Sequence, residues 1–143
     1  EAVEYALRKH CIVVAAAGND FGSDARKHSP VGVKGVIGVA AVGPDGQRTT
    51  FSNINTKLGM PIAAPGLDIY SAKPGGEYVS MSGTSMATPI VSGLIGVMRA
   101  LEPNLDAPTA WRILNETGRM GTSYDEVGAI IEPYAALKRI LQE

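Results

Sequence analysis

Gly83-Thr84-Ser85-Met86-Ala87-Thr88-Pro89 is a run of small residues that turns the chain, presents one serine, and enters a long apolar stretch. From Thr84 to Leu101 the pattern is helical and apolar nearly all round, which predicts a helix buried within its domain. Ser92, Gly93 and Gly96 on that helix predict places where neighbouring elements approach closely. Pro89 falls in its first turns, where it removes one donor and frees a carbonyl. A serine at a helix start sits among backbone N–H groups that lack intrahelical acceptors, at the positive end of the helix dipole.

Upstream, Ile12 to Ala17 is a hydrophobic strand that ends in Gly18-Asn19-Asp20. It follows an amphipathic helix end, Glu1 to Lys9, the α-to-β step of a parallel sheet. Gly35 to Gly43, rich in Val and Ala, predicts a second core strand, and Pro44-Asp45-Gly46-Gln47 a turn. Met60 to Ala64 predicts a third strand, stopped by Pro65-Gly66. Asp68 to Ala72 and Tyr78 to Ser82 predict two more, joined through Lys73-Pro74-Gly75-Gly76. Pro108 opens a helix to Glu116, with Asp106 as its cap and Gly118 as its stop. Pro133 opens the last helix, to Gln142. The expected fold is a three-layer α/β domain with a mainly parallel sheet.

Composition narrows the function classes. The chain has 143 residues, 45% hydrophobic and 19% charged, with a formal net charge of -1. That balance describes a globular domain and gives no argument for nucleic acid as a partner. No segment reaches the roughly 20 apolar residues of a membrane helix, so no membrane insertion is expected. The single cysteine, Cys11, excludes an internal disulfide and, lying just before a strand, is expected to be a buried packing thiol. No acidic cluster has convincing ligand spacing, so no metal is expected. A chain that opens at Glu1 inside a helix reads as a piece whose preceding part is missing.

Acyl transfer needs a nucleophile and a donor for the oxyanion. Ser85 supplies the hydroxyl, and its own N–H can face the developing charge. Asn19, at the carboxyl end of a parallel strand, lies on the edge where α/β ligand sites form, and its side-chain amide can be the second donor. Gly83 lets a substrate approach the backbone without a Cβ in the way. Taken alone, Gly-Thr-Ser before a helix is a common cap and Asn after Gly a common turn residue.

The joint pattern is more specific. Val13 to Asp20, Val36 to Val42, Phe51-Ser52-Asn53, Ala63-Ala64-Pro65-Gly66 and Gly83 to Pro89 resemble, in order and spacing, the second half of the subtilisin-like serine proteases. The resemblance covers nearly all of residues 1–143. It implies a carboxyl-terminal part of a serine endopeptidase domain, with Ser85 as nucleophile and Asn19 in the oxyanion hole. It also implies a substrate-binding wall of Ala16, Ala17 and Gly18, with Gly83 and Thr84 beside it. A polypeptide is the implied substrate and the missing amino-terminal half of the domain the implied partner. Structural calcium and an extracellular or envelope location are family associations without a signal in these residues. One departure is visible: where the family has His-Val-Ala-Gly after the signature proline, this chain has Ile90-Val91-Ser92-Gly93.

No residue here qualifies as general base. No histidine follows Ser85 and position 87 is Ala, which excludes the serine-first order and Gly-x-Ser-x-Gly elbow of α/β-hydrolases. The Gly-Asp-Ser-Gly surroundings of chymotrypsin-like enzymes are also absent. His10 precedes the strand that ends near Asn19, which places it about 25–30 Å from the site at ~3.3 Å per residue. His28, in the loop from Asn19 to Gly32, is read as a solvated loop residue. The aspartate and histidine are therefore expected upstream, and this chain alone is expected to be inactive. The alternatives are a non-catalytic interaction module and one half of a split protease.

Overall fold

The computed structural model describes residues 1–142. After helix α1 (Ala2–Arg8), three parallel strands form the sheet: β1 (Val14–Ala16), β2 (Ile37–Val42) and β3 (Pro61–Pro65), in the order β1-β2-β3. Val14 pairs with Ile37 at one seam, and Ala40 with Ala63 at the other. All six residues of β2 are buried, as a central strand of a two-sided sheet requires. Its side chains divide by the strand period. Ile37, Val39 and Ala41 face one core and Ala40 and Val42 the other.

The first core is closed by helix α2 (Thr84–Leu101), helix α3 (Ala107–Thr117) and helix α5 (Pro133–Ile140). The second is closed by loop residues such as Val31 and Val36, by Val3 of α1, and by Val127 at the end of the short helix α4 (Tyr124–Val127). This gives the expected three layers. Strands β4 (Ile69–Lys73) and β5 (Glu77–Met81) form a separate antiparallel hairpin. Asp106 caps α3 as expected, its Oδ1 accepting the Thr109 N–H at 2.9 Å.

Three expectations fail. Cys11 is exposed, because His10, at φ 60°, turns the chain sharply between helix and strand and leaves the thiol outside the sheet. Helix α2 is not buried all round: Ala87, Val91, Leu94, Ile95 and Met98 lie on the sheet, while Val97 and Leu101 are exposed. Nothing approaches Gly93 or Gly96 either, since a Cβ built at either meets no atom within 4 Å. Both changes have one physical source. An apolar helix hides only the face its neighbours reach, and the sheet reaches one side of α2.

Candidate active site

The carboxyl ends of the strands carry the site, as the topology of a parallel sheet dictates. β1 ends in Ala16, and Ala17 N–H still donates to Val39 O at 2.8 Å before the chain turns through Gly18 at φ 101°. β3 ends in Pro65, followed by Gly66, whose carbonyl accepts the Gly83 N–H at 2.8 Å. A Cβ at Gly66 would lie 2.5 Å from Ala41 Cβ and 2.8 Å from Gly83 O, so only glycine allows this join. Gly83 itself adopts φ 157° and ψ 161°, a region left almost wholly to glycine. Through it the α2 amino terminus meets the end of β1.

Ser85 is the second residue of α2 and is exposed. Its N–H belongs to the first helical turn and has no intrahelical acceptor. Thr84 beside it is fully buried and does different work. Its N–H and its Oγ1–H both donate to Asn19 Oδ1, at 2.9 and 3.0 Å. Thr84 Oγ1 in turn accepts the Gly18 N–H at 3.2 Å. With its oxygen held by two donors, the Asn19 carboxamide keeps its Nδ2 toward the turn. Nδ2 lies 3.9 Å from the point a Cβ on Gly83 would occupy. Two N–H donors, on Asn19 and Ser85, thus flank the start of the helix.

Pro89 has no N–H to offer the carbonyl of Ser85 four residues back. The Thr84 carbonyl is taken by Thr88 Oγ1 at 2.8 Å. A cleft of about 410 Å³ opens beside Ser85, lined mainly by Ile69, Tyr70, Val79, Met81, Met86 and Ile90. The hairpin β4-β5 supplies one wall and α2 the other. Of the expected substrate wall, Ala17 is buried, while Ala16 and Gly18 are half-buried at the strand end.

Neither histidine reaches the serine. His10 O accepts Arg99 Nη2 at 2.9 Å, at the other end of α2 and about 21 Å along the helix from Ser85. His28 stays in the surface loop as expected, partly exposed, with its Nε2 3.3 Å from Asp20 Oδ2. Among the described residues no hydrogen bond joins either ring to Ser85. A second cavity, of about 540 Å³, lies at the His10 end, among Leu7, Cys11, Arg99 and Asp106, and has no part in the Ser85 site.

The loop between the site and β2 carries a turn of 3₁₀ helix, Ala25–Lys27. Asp24 caps it, accepting the Arg26 N–H at 3.0 Å and the Arg26 guanidinium at 2.6 Å. These bonds from Arg26 hold the Asp24 carboxyl down to about 2, against an ordinary 3.8. A carboxyl lowered by folding adds stability that is fully present above its unfolded value and is lost as pH falls through its folded one. Asp24→Asn is therefore expected to flatten the acid limb of thermal stability between about pH 4 and pH 2, read by circular dichroism melts. Near pH 7 the capped turn is expected to melt slightly earlier in the variant.

The family model for the subtilase family (Peptidase_S8) matches residues 1–129. An intracellular serine protease of Paenibacillus polymyxa is 37% identical over 133 residues, covering 86% of this chain and 40% of that protein. Subtilisin DY of Bacillus licheniformis is 35% identical over 127 residues, covering 87% of this chain and 46% of that protein. Among solved structures, a protease from Pseudoalteromonas arctica superposes with a TM-score of 0.87 at 28% identity, over 97% of this chain and 45% of that one. The prenylagaramide maturation protease PagA superposes with a TM-score of 0.80 at 26% identity, over 97% of this chain and 54% of that one. The chain thus spans less than half the length of both sequence relatives.

Proposed function

The chain belongs to the subtilase family, and from that membership we propose that it carries the nucleophile and oxyanion hole of a serine endopeptidase. Ser85 Oγ attacks the carbonyl carbon of a peptide bond as a base removes its proton. The carbonyl oxygen, now negative, is received by the Ser85 N–H and Asn19 Nδ2. Collapse of the tetrahedral species expels the amine, which takes up the proton, and leaves an ester on Ser85. Water, deprotonated by the same base, then hydrolyses the ester and regenerates the hydroxyl. Ala16 and Gly18 face the substrate on the β1 side, while Ala17, fully buried, packs in the core behind them and takes no direct part in the wall. Gly83 keeps the approach to Ser85 clear.

One observation carries this reading. Thr84 spends both its N–H and its hydroxyl on Asn19 Oδ1, which orients the amide donor at the helix start. With no histidine bonded to Ser85 among the described residues, the base and its aspartate come from outside these 143 residues. The partner is then the remaining part of a subtilase domain, and the substrate a polypeptide.

The test is complementation. Purified residues 1–143 are expected to leave a denatured protein substrate uncleaved. Joined to the aspartate- and histidine-bearing portion of a subtilase domain, they are expected to cleave it. Cleavage by residues 1–143 alone, abolished by Ser85→Ala and by His28→Ala, would instead place the base at His28.

A further inference from the structure

The most heavily engaged polar side chain beside the site is one that the chemistry above does not use. Asn53 is fully buried, yet it lies in the connection between β2 and β3, more than thirty residues from the turn it touches. Its Nδ2 donates to Ala17 O at 3.0 Å and to Asp20 Oδ2 at 3.1 Å. Its Oδ1 accepts the Asp20 N–H at 2.8 Å. Its backbone N–H donates to Gly18 O at 2.9 Å. Every residue of the Ala17–Asp20 turn except Asn19 is thereby fixed by one asparagine. A Cβ at Gly18 would lie 2.5 Å from Asn53 Nδ2, so the glycine makes room for this amide as well as for the turn.

Asn53 is itself held from behind. The adjacent Ser52 Oγ accepts the Ala41 N–H from β2 at 3.0 Å and donates to Asn53 O at 3.1 Å. Arg48 Nη1 donates to Ser52 O at 2.8 Å, while its Nε pairs with Glu126 at 3.1 Å. On the outer side, Asp20 Oδ2 is shared between Asn53 Nδ2 and His28 Nε2. A rigid strand, a buried amide and an exposed carboxylate thus bracket the two peptide units on either side of Asn19.

We propose that Asn53 is a positioning residue for catalysis: it holds the backbone of Asn19 so that the amide oriented by Thr84 meets the oxyanion. Asp20 is the outer clamp of the same device. The proposal rests on the oxyanion role given to Asn19 above. Buried hydrogen-bond networks transmit position because an unmade bond in them is costly, so the turn has one arrangement rather than several. A donor displaced by even a fraction of an ångström from the oxyanion loses much of its value.

The test is a double-mutant cycle in the active peptidase that contains this chain. Asn53→Asp keeps the shape, cannot donate to Ala17 O, and sets a second carboxylate against Asp20. It is expected to lower kcat roughly tenfold, with a smaller change in KM. Asp20→Ala, at an exposed position, is expected to lower kcat about threefold in the same direction. In an Asn19→Ala background both effects should shrink below about twofold, since the donor they position is gone. Equal factors in both backgrounds, or unchanged kcat for both single variants, overturn the positioning role while leaving Asn19 in place. If Asn53→Asp fails to fold, Asp20→Ala decides by the same criterion. Unchanged kcat in Asn19→Ala itself overturns the oxyanion assignment and the positioning role together.

Discussion

Replacing Ser85 with alanine in the complemented peptidase is expected to remove peptide-bond turnover almost completely. The expected loss is of order 10⁶ in kcat, a magnitude taken from subtilisin itself, where the nucleophile and base fail as a unit. Folding should be untouched. Ser85 is exposed at the second position of α2, and the bonds that hold the helix start belong to Gly83 and Thr84. The melting temperature of Ser85→Ala should therefore match the parent within a degree or two, while the rate falls to the residual level of the oxyanion hole and substrate binding. A large loss of turnover together with a lowered melting temperature would assign Ser85 a structural part.

Asn19→Ala is expected to lower kcat by roughly 10²–10³ and leave KM nearly unchanged, again the scale known for the oxyanion asparagine of subtilisin. The split between the two constants follows from timing. The carbonyl oxygen of a bound peptide carries little charge, and the amide of Asn19 gains its strength only as the tetrahedral oxyanion forms. Asn19→Asp should be slower still, because a carboxylate between Thr84 and the substrate repels that charge. It would also keep the acceptor for the Thr84 N–H and Oγ1, so its defect cannot be blamed on a loosened helix start. A raised KM at constant kcat would make Asn19 a binding residue, and the oxyanion would need another donor.

Local signals reached the strands, the long helix and the two ends of the site. Val and Ala runs announce β2, and a small-residue turn before an apolar run announces α2, because both depend on neighbours in sequence. The candidate pair can be read for the same reason: Asn19 follows Gly18 directly, and Ser85 stands two residues after Gly83. The bonds of Asn53 cannot be read this way. Phe51-Ser52-Asn53 carries part of the family resemblance, but the partners of Asn53, namely Ala17, Gly18 and Asp20, are more than thirty residues away, so no neighbour in sequence announces the bonds it makes. The short helix α4 escaped as well, since four residues carry no periodicity. Long-range bonds hold it: Thr56 Oγ1 to Asp125 O at 2.9 Å and Arg48 Nε to Glu126 Oε2 at 3.1 Å. His28 is the loop residue its sequence suggests, but its pairing with Asp20 spans a turn of 3₁₀ helix that only the folded chain reveals. Cys11, Gly93 and Gly96 depart from expectation for one reason: an apolar or small residue does not by itself imply a neighbour.

In the proposed reaction Ser85 Oγ is the reacting hydroxyl, and it becomes reactive only when a base from outside residues 1–143 is present. The most direct measurement is the mass-spectrometric location of a fluorophosphonate adduct after limited labelling, with and without the complementing portion of the domain. The expected result is one adduct on the peptide containing Ser85 in the complemented sample, and none in residues 1–143 alone. Labelling of Ser85 in the isolated chain, or an adduct on another residue in the complemented enzyme, would contradict it.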